Sequence, residues 1–177
     1  MLTKTDIRQA MKRHKAACSN EERAALSSKV LAKLKGTASW QQARTVLLYH
    51  SLPDEVDTHS LITEAVAEGK RVLLPVVVGD DLELREYHPS TSMIEGAFHI
   101  QEPTGAPFTD YASIDLAVVP GVAFTPEGHR LGRGRGYYDR LLSRLPKVFK
   151  LGICWPFQLV ESLPTEPHDL AMNAVVS

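Results

Sequence analysis

Cysteine is scarce in this chain. Only Cys18 and Cys154 occur, far apart and without metal or redox spacing, which excludes a disulfide-stapled scaffold and a thiolate metal site. No run of eighteen apolar residues exists, so no membrane-spanning helix is expected. The opening Met-Leu-Thr-Lys-Thr-Asp lacks the apolar segment of a secretory leader, and a cytoplasmic location follows as the expectation. Charge of one sign is missing too: 20 Lys and Arg against 21 Asp and Glu leave a formal net charge of −1, which argues against a general nucleic-acid binder. The chain contains neither the P-loop pattern Gly-x-x-x-x-Gly-Lys-Ser/Thr nor the dinucleotide pattern Gly-x-Gly-x-x-Gly. Internal repeats, low-complexity segments and linkers are absent, and the 177 residues are expected to form a single domain.

What is present concentrates between Pro120 and Leu142. Gly128, Gly132, Gly134 and Gly136 are four of the chain's eleven glycines, interleaved with Arg130, Arg133 and Arg135 and closed by Tyr137, Tyr138 and Asp139. Glycine lets backbone N–H groups approach a ligand closely, and arginine offers a fixed fork of donors to phosphate oxygens. From Arg130 to Lys150 there are seven basic residues and one acidic residue, Asp139. Three readings fit these residue types: an anion-binding loop, a structural turn, or an Arg-Gly segment that binds nucleic acid. The flanks favour the first. The apolar run Leu116 to Val119 precedes the loop and the helix-like Tyr137 to Leu145 follows it, so the loop joins a strand to a helix N-terminus, where an anion is stabilised.

Elsewhere the periodicity predicts helices over Thr3 to Ala17, capped by Thr3 or Thr5, and from Ser19, with Glu22 completing a capping box, to about Lys35. Continuous apolar runs at Arg44 to His50, Arg71 to Val78, Asp115 to Val119 and Phe149 to Cys154 have the character of buried parallel strands. Asp57 to Gly69 is expected as a helix, Leu82 to Tyr87 as an edge strand or half a hairpin, and Ala174 to Val176 as a short last strand. Strands alternating with helices imply an α/β fold: a three-layer, mostly parallel open sheet with helices on both faces. Its ligand crevice would lie beyond the C-terminal strand ends, at His50 to Glu55, Pro120 to Asp139 and Trp155.

Taken together, Arg130-Leu-Gly-Arg-Gly-Arg-Gly-Tyr-Tyr-Asp139, Lys4-x-x-x-Arg8, Ser51-Leu-Pro-Asp-Glu-Val-Asp-Thr58, Glu102-Pro103, Gln158-Leu-Val and Leu163-Pro-Thr-Glu-Pro-His-Asp169 resemble the 5-formyltetrahydrofolate cyclo-ligase family along essentially the whole chain. The resemblance implies an enzyme that uses ATP with Mg²⁺ to cyclise 5-formyltetrahydrofolate to 5,10-methenyltetrahydrofolate, releasing ADP and phosphate. It further implies phosphorylation of the formyl oxygen followed by attack of N10. The implied partners are the small-molecule substrates, with no nucleic acid or membrane, and the enzyme is expected as a monomer or weak dimer.

Residue by residue, Lys4 and Arg8 resemble the family's N-terminal ATP contacts. Arg130, Leu131, Gly132, Arg133, Gly134, Arg135, Gly136, Tyr137 and Tyr138 resemble its phosphate-cradling loop. Arg130, Arg133 and Arg135 would neutralise charge on the transferred phosphoryl group. Asp139 and Asp169 resemble magnesium ligands. On the folate side the resemblance places His50, Glu55, Phe98 and the Arg133 to Tyr137 segment, with Glu55 as the pterin-recognising carboxylate. The bland alternatives are a strand-end turn for His50 and Glu55 and a core aromatic for Phe98.

Two positions depart from the family pattern: Thr125 stands where many relatives carry Asp, and Arg135 where others carry Lys or Gly. Trp155 is expected either in the core or against adenine. His14, His59, His88, His99 and His129 form no metal spacing and are expected as incidental surface residues, with His168 positioning Asp169. Two other functions compete with the cyclo-ligase: an RNA- or phosphate-binding module using the basic stretch, and an enzyme of the same fold acting on another formylated or carboxylated molecule.

Overall fold

The computed structural model describes residues 1–177. Helix α1 (Lys4–Ala17) opens with a capping box in which Thr3 Oγ1 accepts from Asp6 N–H and Asp6 accepts from Thr3 N–H. Ser19 and Glu22 do the same for α2 (Asn20–Lys35), as the sequence pattern predicts. A short α3 (Ala38–Gln42), not expected from the sequence, turns the chain into β1 (Thr45–Leu47). Then follow α4 (His59–Ala67), β2 (Arg71–Val78), β3 (Asp81–Tyr87), β4 (Met93–Glu95), β5 (Gln101–Pro103), β6 (Leu116–Val119), β7 (Ala123–Phe124), β8 (Arg130–Leu131), α5 (Tyr137–Ser143), β9 (Phe149–Ile153) and β10 (Ala174–Val176).

Six strands form the main sheet in the order β10-β9-β6-β1-β2-β3. All neighbours are parallel except β2 and β3, which form an antiparallel hairpin from Val72–Tyr87 to Val78–Asp81. The alternation of side chains divides the core in two. Val46, Leu48, Val72, Leu74, Leu116, Val118, Leu151 and Ile153 point to one face, which α2, α3 and α4 cover with Val30, Leu34, Trp40, Leu61 and Ile62. Leu47, Leu73, Ala117 and Val119 point to the other, covered by α5 through Leu141 and Leu142 and by Leu145 just beyond it. Helices thus lie on both faces, and beside α5 the second face is closed by Ile114, Phe124, Val148 and Met172 from outside the helices. Trp155 is buried to 1 % exposure, and its indole N–H donates to Ser27 Oγ at 3.0 Å. It belongs to the core.

Two small antiparallel ribbons were not foreseen: β4 with β5, and β7 with β8. Helix α1 packs on the second of these through Ile7 and Met11 against Val122, Ala123 and Leu131. No helix is long and apolar enough to cross a membrane.

Candidate active site

The chain leaves β1 toward β2 on one side and later returns to place β6 on the other, so β1 and β6 flank the topological switch point. Their C-terminal ends lead to His50–Glu55 and to Pro120–Gly121, and both segments line a cavity of about 590 Å³. Every site residue expected from the sequence lines this cavity: Lys4, Arg8, His50, Glu55, Phe98, the continuous run Arg130 to Asp139, and Asp169. The sequence reading missed Pro75, Val77, Leu82, Ile100, Glu102 and Glu166, which share the wall.

The β7–β8 ribbon aims Arg130 inward. Its side chain is 8 % exposed, Nε donates to Pro120 O at 2.7 Å, and the guanidinium lies over the Tyr138 ring at 5.2 Å. Burial lowers its pKa, opposed by the charge of Asp139, whose Oδ1 is 4.0 Å from Nη1. Arg8 reaches across from α1, and its Nε donates to Gly132 O at 2.9 Å. Gly136, at φ 71°, caps α5 in a left-handed conformation that suits glycine. The expected loop-to-helix junction is therefore present. Because α5 has only seven residues, the arginines rather than the helix dipole supply most of the positive charge.

Lys4 Nζ bridges Asp169 Oδ2 and Glu166 Oε1 at 3.1 Å each. Burial works against its charge, but these two carboxylates outweigh that and hold its pKa above the ordinary lysine value. Burial raises the Asp169 pKa, but the Glu166 backbone N–H and Lys4 overcome that effect and hold it low. His168 Nε2 lies 3.1 Å from Glu166 Oε2 and 3.6 Å from Asp169 Oδ1, the latter beyond hydrogen-bond distance. Glu166, His168 and Asp169 bring one donor atom each within 4.8 Å of one another, and Asp139 stands outside that group. Carboxylate oxygens already accommodating an ammonium beside a phosphate-type loop are a donor set that fits Mg²⁺.

On the other side, one nitrogen of Arg133 donates to Asp54 Oδ1 at 2.7 Å and Glu55 Oε1 at 3.0 Å. Glu55 Oε2 accepts from Leu52 N–H at 3.1 Å, so both its oxygens are engaged. Asp54 also faces Lys15 Nζ at 3.6 Å. Burial raises the Asp54 pKa, but Arg133 and Lys15 reverse that effect and keep it low. His50 stacks on His59 with centroids 3.9 Å apart, and His59 Nε2 lies 2.9 Å from Ser51 O. His59 therefore lies at the surface, as expected, and also supports the site loop. Burial, and then the neighbouring His59, lowers the His50 pKa. Phe98 is 42 % exposed and cannot be a core aromatic. It meets Tyr137 edge-on at 6.3 Å and carries the Arg135 guanidinium 4.6 Å from its ring centre.

The basic stretch does not form a free cationic face. Arg140 donates to Asp80 O, Arg144 to Leu82 O, and buried Lys150 to Leu145 O and Val148 O. A groove that tracks a nucleic-acid backbone needs such cations free.

Residues 1–177 match the model of the 5-formyltetrahydrofolate cyclo-ligase family. A 5-formyltetrahydrofolate cyclo-ligase of Escherichia coli (strain K12) is 36% identical over 142 residues, covering 76% of this chain and 78% of that protein. A probable 5-formyltetrahydrofolate cyclo-ligase of Schizosaccharomyces pombe is 33% identical over 156 residues, covering 78% of this chain and 76% of that protein. The NMR structure of Aquifex aeolicus 5,10-methenyltetrahydrofolate synthetase has 37% identity and superposes with a TM-score of 0.87, covering 99% of this chain and 89% of that one. The chain belongs to the 5-formyltetrahydrofolate cyclo-ligase family of enzymes.

Proposed function

We propose that this enzyme converts 5-formyltetrahydrofolate to 5,10-methenyltetrahydrofolate at the expense of ATP. The observation that carries the reading is one cavity lined by two unlike sets of residues. Its wall combines Lys4, Arg8, Arg130 and the glycine-arginine loop with the apolar residues Pro75, Val77, Leu82, Phe98 and Ile100. The first set suits a polyphosphate and the second a flat heterocycle.

The formyl group on N5 is amide-like, and its oxygen is a poor leaving group. Transfer of the γ-phosphoryl group forms a P–O bond to that oxygen as the bond to the ADP oxygen breaks. N10 then attacks the activated carbon, the C–O bond breaks, phosphate leaves, and N10 gives up its proton to solvent or phosphate. Arg130, Arg133 and Arg135 neutralise phosphoryl charge as it redistributes. Tyr137 and Phe98 pack on the substrate rings, while His50 and Glu55 border them. Because the nucleophile belongs to the same molecule, holding the folate folded supplies much of the acceleration. Asp139 and Asp169, with Glu166, would hold Mg²⁺, which offsets phosphate charge.

The test mixes the protein with 5-formyltetrahydrofolate, ATP and Mg²⁺ and follows the near-ultraviolet absorbance of the conjugated product. The expected result is an ATP-dependent rise that disappears in Asp139→Asn. No rise from folded wild-type protein would move the substrate assignment to another formylated molecule.

A further inference from the structure

Strand β2 outruns its neighbour. β1 pairs with β2 only as far as Leu47–Leu73, and Leu48 N–H then donates to Leu73 O before the chain turns away. Beyond that point the edge of β2 facing β1 has no strand beside it. Alternate residues present their backbone polar groups to the same edge, so after Leu73 these are Pro75 and Val77. Pro75 has no N–H to satisfy. Val77 does, and it donates to Glu102 Oε2 at 2.8 Å.

Glu102 is unusual in its surroundings. It is 6 % exposed, lines the cavity, and stands at its apolar end with Pro75, Val77, Leu82, Phe98 and Ile100. The Val77 bond fixes one oxygen. The other, Oε1, has no hydrogen-bond partner and is open to the cavity. The site is also built around that oxygen: a Cβ on Gly96 would lie 1.8 Å from it, so only glycine leaves the carboxylate in place. By contrast, both oxygens of Glu55 are already engaged, by Leu52 N–H and by Arg133. A buried carboxylate with an open oxygen in an apolar lobe calls for a ligand that brings N–H donors.

Resting on the folate reading above, we infer that Glu102, rather than Glu55, reads the donor edge of the pterin ring, accepting from the 2-amino group and N3–H. A carboxylate has about four lone-pair sites. At Glu102 only one is used, by a neutral N–H, and Oε1 keeps both of its own. Glu55 instead has a donor on each oxygen and is already paired with a cation. Glu55 is then the counter-ion of Arg133. Glu102 acts here as a specificity-determining residue: it selects a 2-amino-4-oxo heterocycle over rings that present an acceptor or a methyl group at that edge.

The test compares 5-formyltetrahydrofolate with an analogue carrying a methyl in place of the 2-amino group, by calorimetric titration of wild type, Glu102→Gln and Glu55→Gln. Glutamine at 102 keeps an acceptor for Val77 N–H, and ATP affinity with the thermal midpoint checks that the fold is retained. Wild type is expected to bind the analogue about ten- to a hundredfold more weakly, the loss of a buried hydrogen bond to a charged group. That discrimination disappears in Glu102→Gln and persists in Glu55→Gln. Unchanged discrimination in Glu102→Gln, or its disappearance in Glu55→Gln alone, overturns the inference while leaving the folate reading intact. Failure of the wild type to bind either folate overturns both.

Discussion

Arg133 and Glu55 are 78 residues apart in sequence, yet Arg133 Nη2 donates to Glu55 Oε1 at 3.0 Å and ties the glycine-arginine loop to the loop after β1. The same nitrogen holds Asp54 Oδ1 at 2.7 Å. The guanidinium is thus parked on two carboxylates at the cavity wall, and the proposed ATP reaction requires a phosphate to compete for it.

Replacing Arg133 with Ala is expected to lower kcat by about a hundred- to a thousandfold, the usual cost of losing one preorganised donor to a transferring group. Arg133→Lys restores little, because an ammonium cannot reproduce the planar fork. Steady-state kinetics in saturating ATP and folate checks this. An unchanged kcat in Arg133→Ala removes the residue from phosphoryl chemistry.

Gly128 stands at φ 100°, and a Cβ there would lie 2.3 Å from Met172 O. Gly128→Ala is therefore expected to cost about 2 kcal/mol in urea unfolding, from left-handed strain and the close backbone. Met172 N–H donates to Gly128 O at 2.8 Å, and this bond anchors the segment that carries Asp169. The KM for ATP should rise in the same variant. Wild-type stability in Gly128→Ala would show that the C-terminal segment shifts freely.

His50 has its pKa lowered by burial and by His59. The unfolded chain binds a proton at this residue more readily than the folded one. Stability contributed here is thus full above the unfolded value of about 6.5 and declines as pH falls toward the folded value. On acidification from pH 8 to pH 5, the melting temperature of wild type should fall more steeply than that of His50→Gln. Parallel curves for the two proteins would contradict this linkage.

Burial pushes the Cys154 thiol up to about 12, whereas Cys18 is half-exposed. At pH 8 a thiol-specific disulfide reagent is expected to label one cysteine in the native protein and both in urea. Rapid labelling of both without denaturant would show that the core around β9 opens.

The parts of this molecule legible in its sequence are those decided locally. Thr3 with Asp6 and Ser19 with Glu22 announce two helices by spacing alone. The apolar runs around Val46, Leu73, Val118 and Leu151 announce strands buried on both faces. The glycine-arginine run marks one wall of the cavity. The unread parts depend on distant partners. The two-residue strands β7 and β8 carry no periodicity and exist because they pair with each other under α1. Glu102 precedes a proline in what looks like an ordinary loop, and its meaning comes from Val77 and Gly96. His59 looked incidental because stacking on His50 leaves no trace in composition.

Lys4 opens α1, and the carboxylate it holds, Asp169, lies 165 residues further on. During synthesis this side of the cavity stays incomplete until the segment around Asp169 has emerged. On the proposed reading ATP would report on the finished molecule alone: a ligand that binds only the closed form stabilises the joined ends together. A chain stopped short of Asp169 would keep its arginines but lose this closure, and nucleotide would no longer raise its melting temperature.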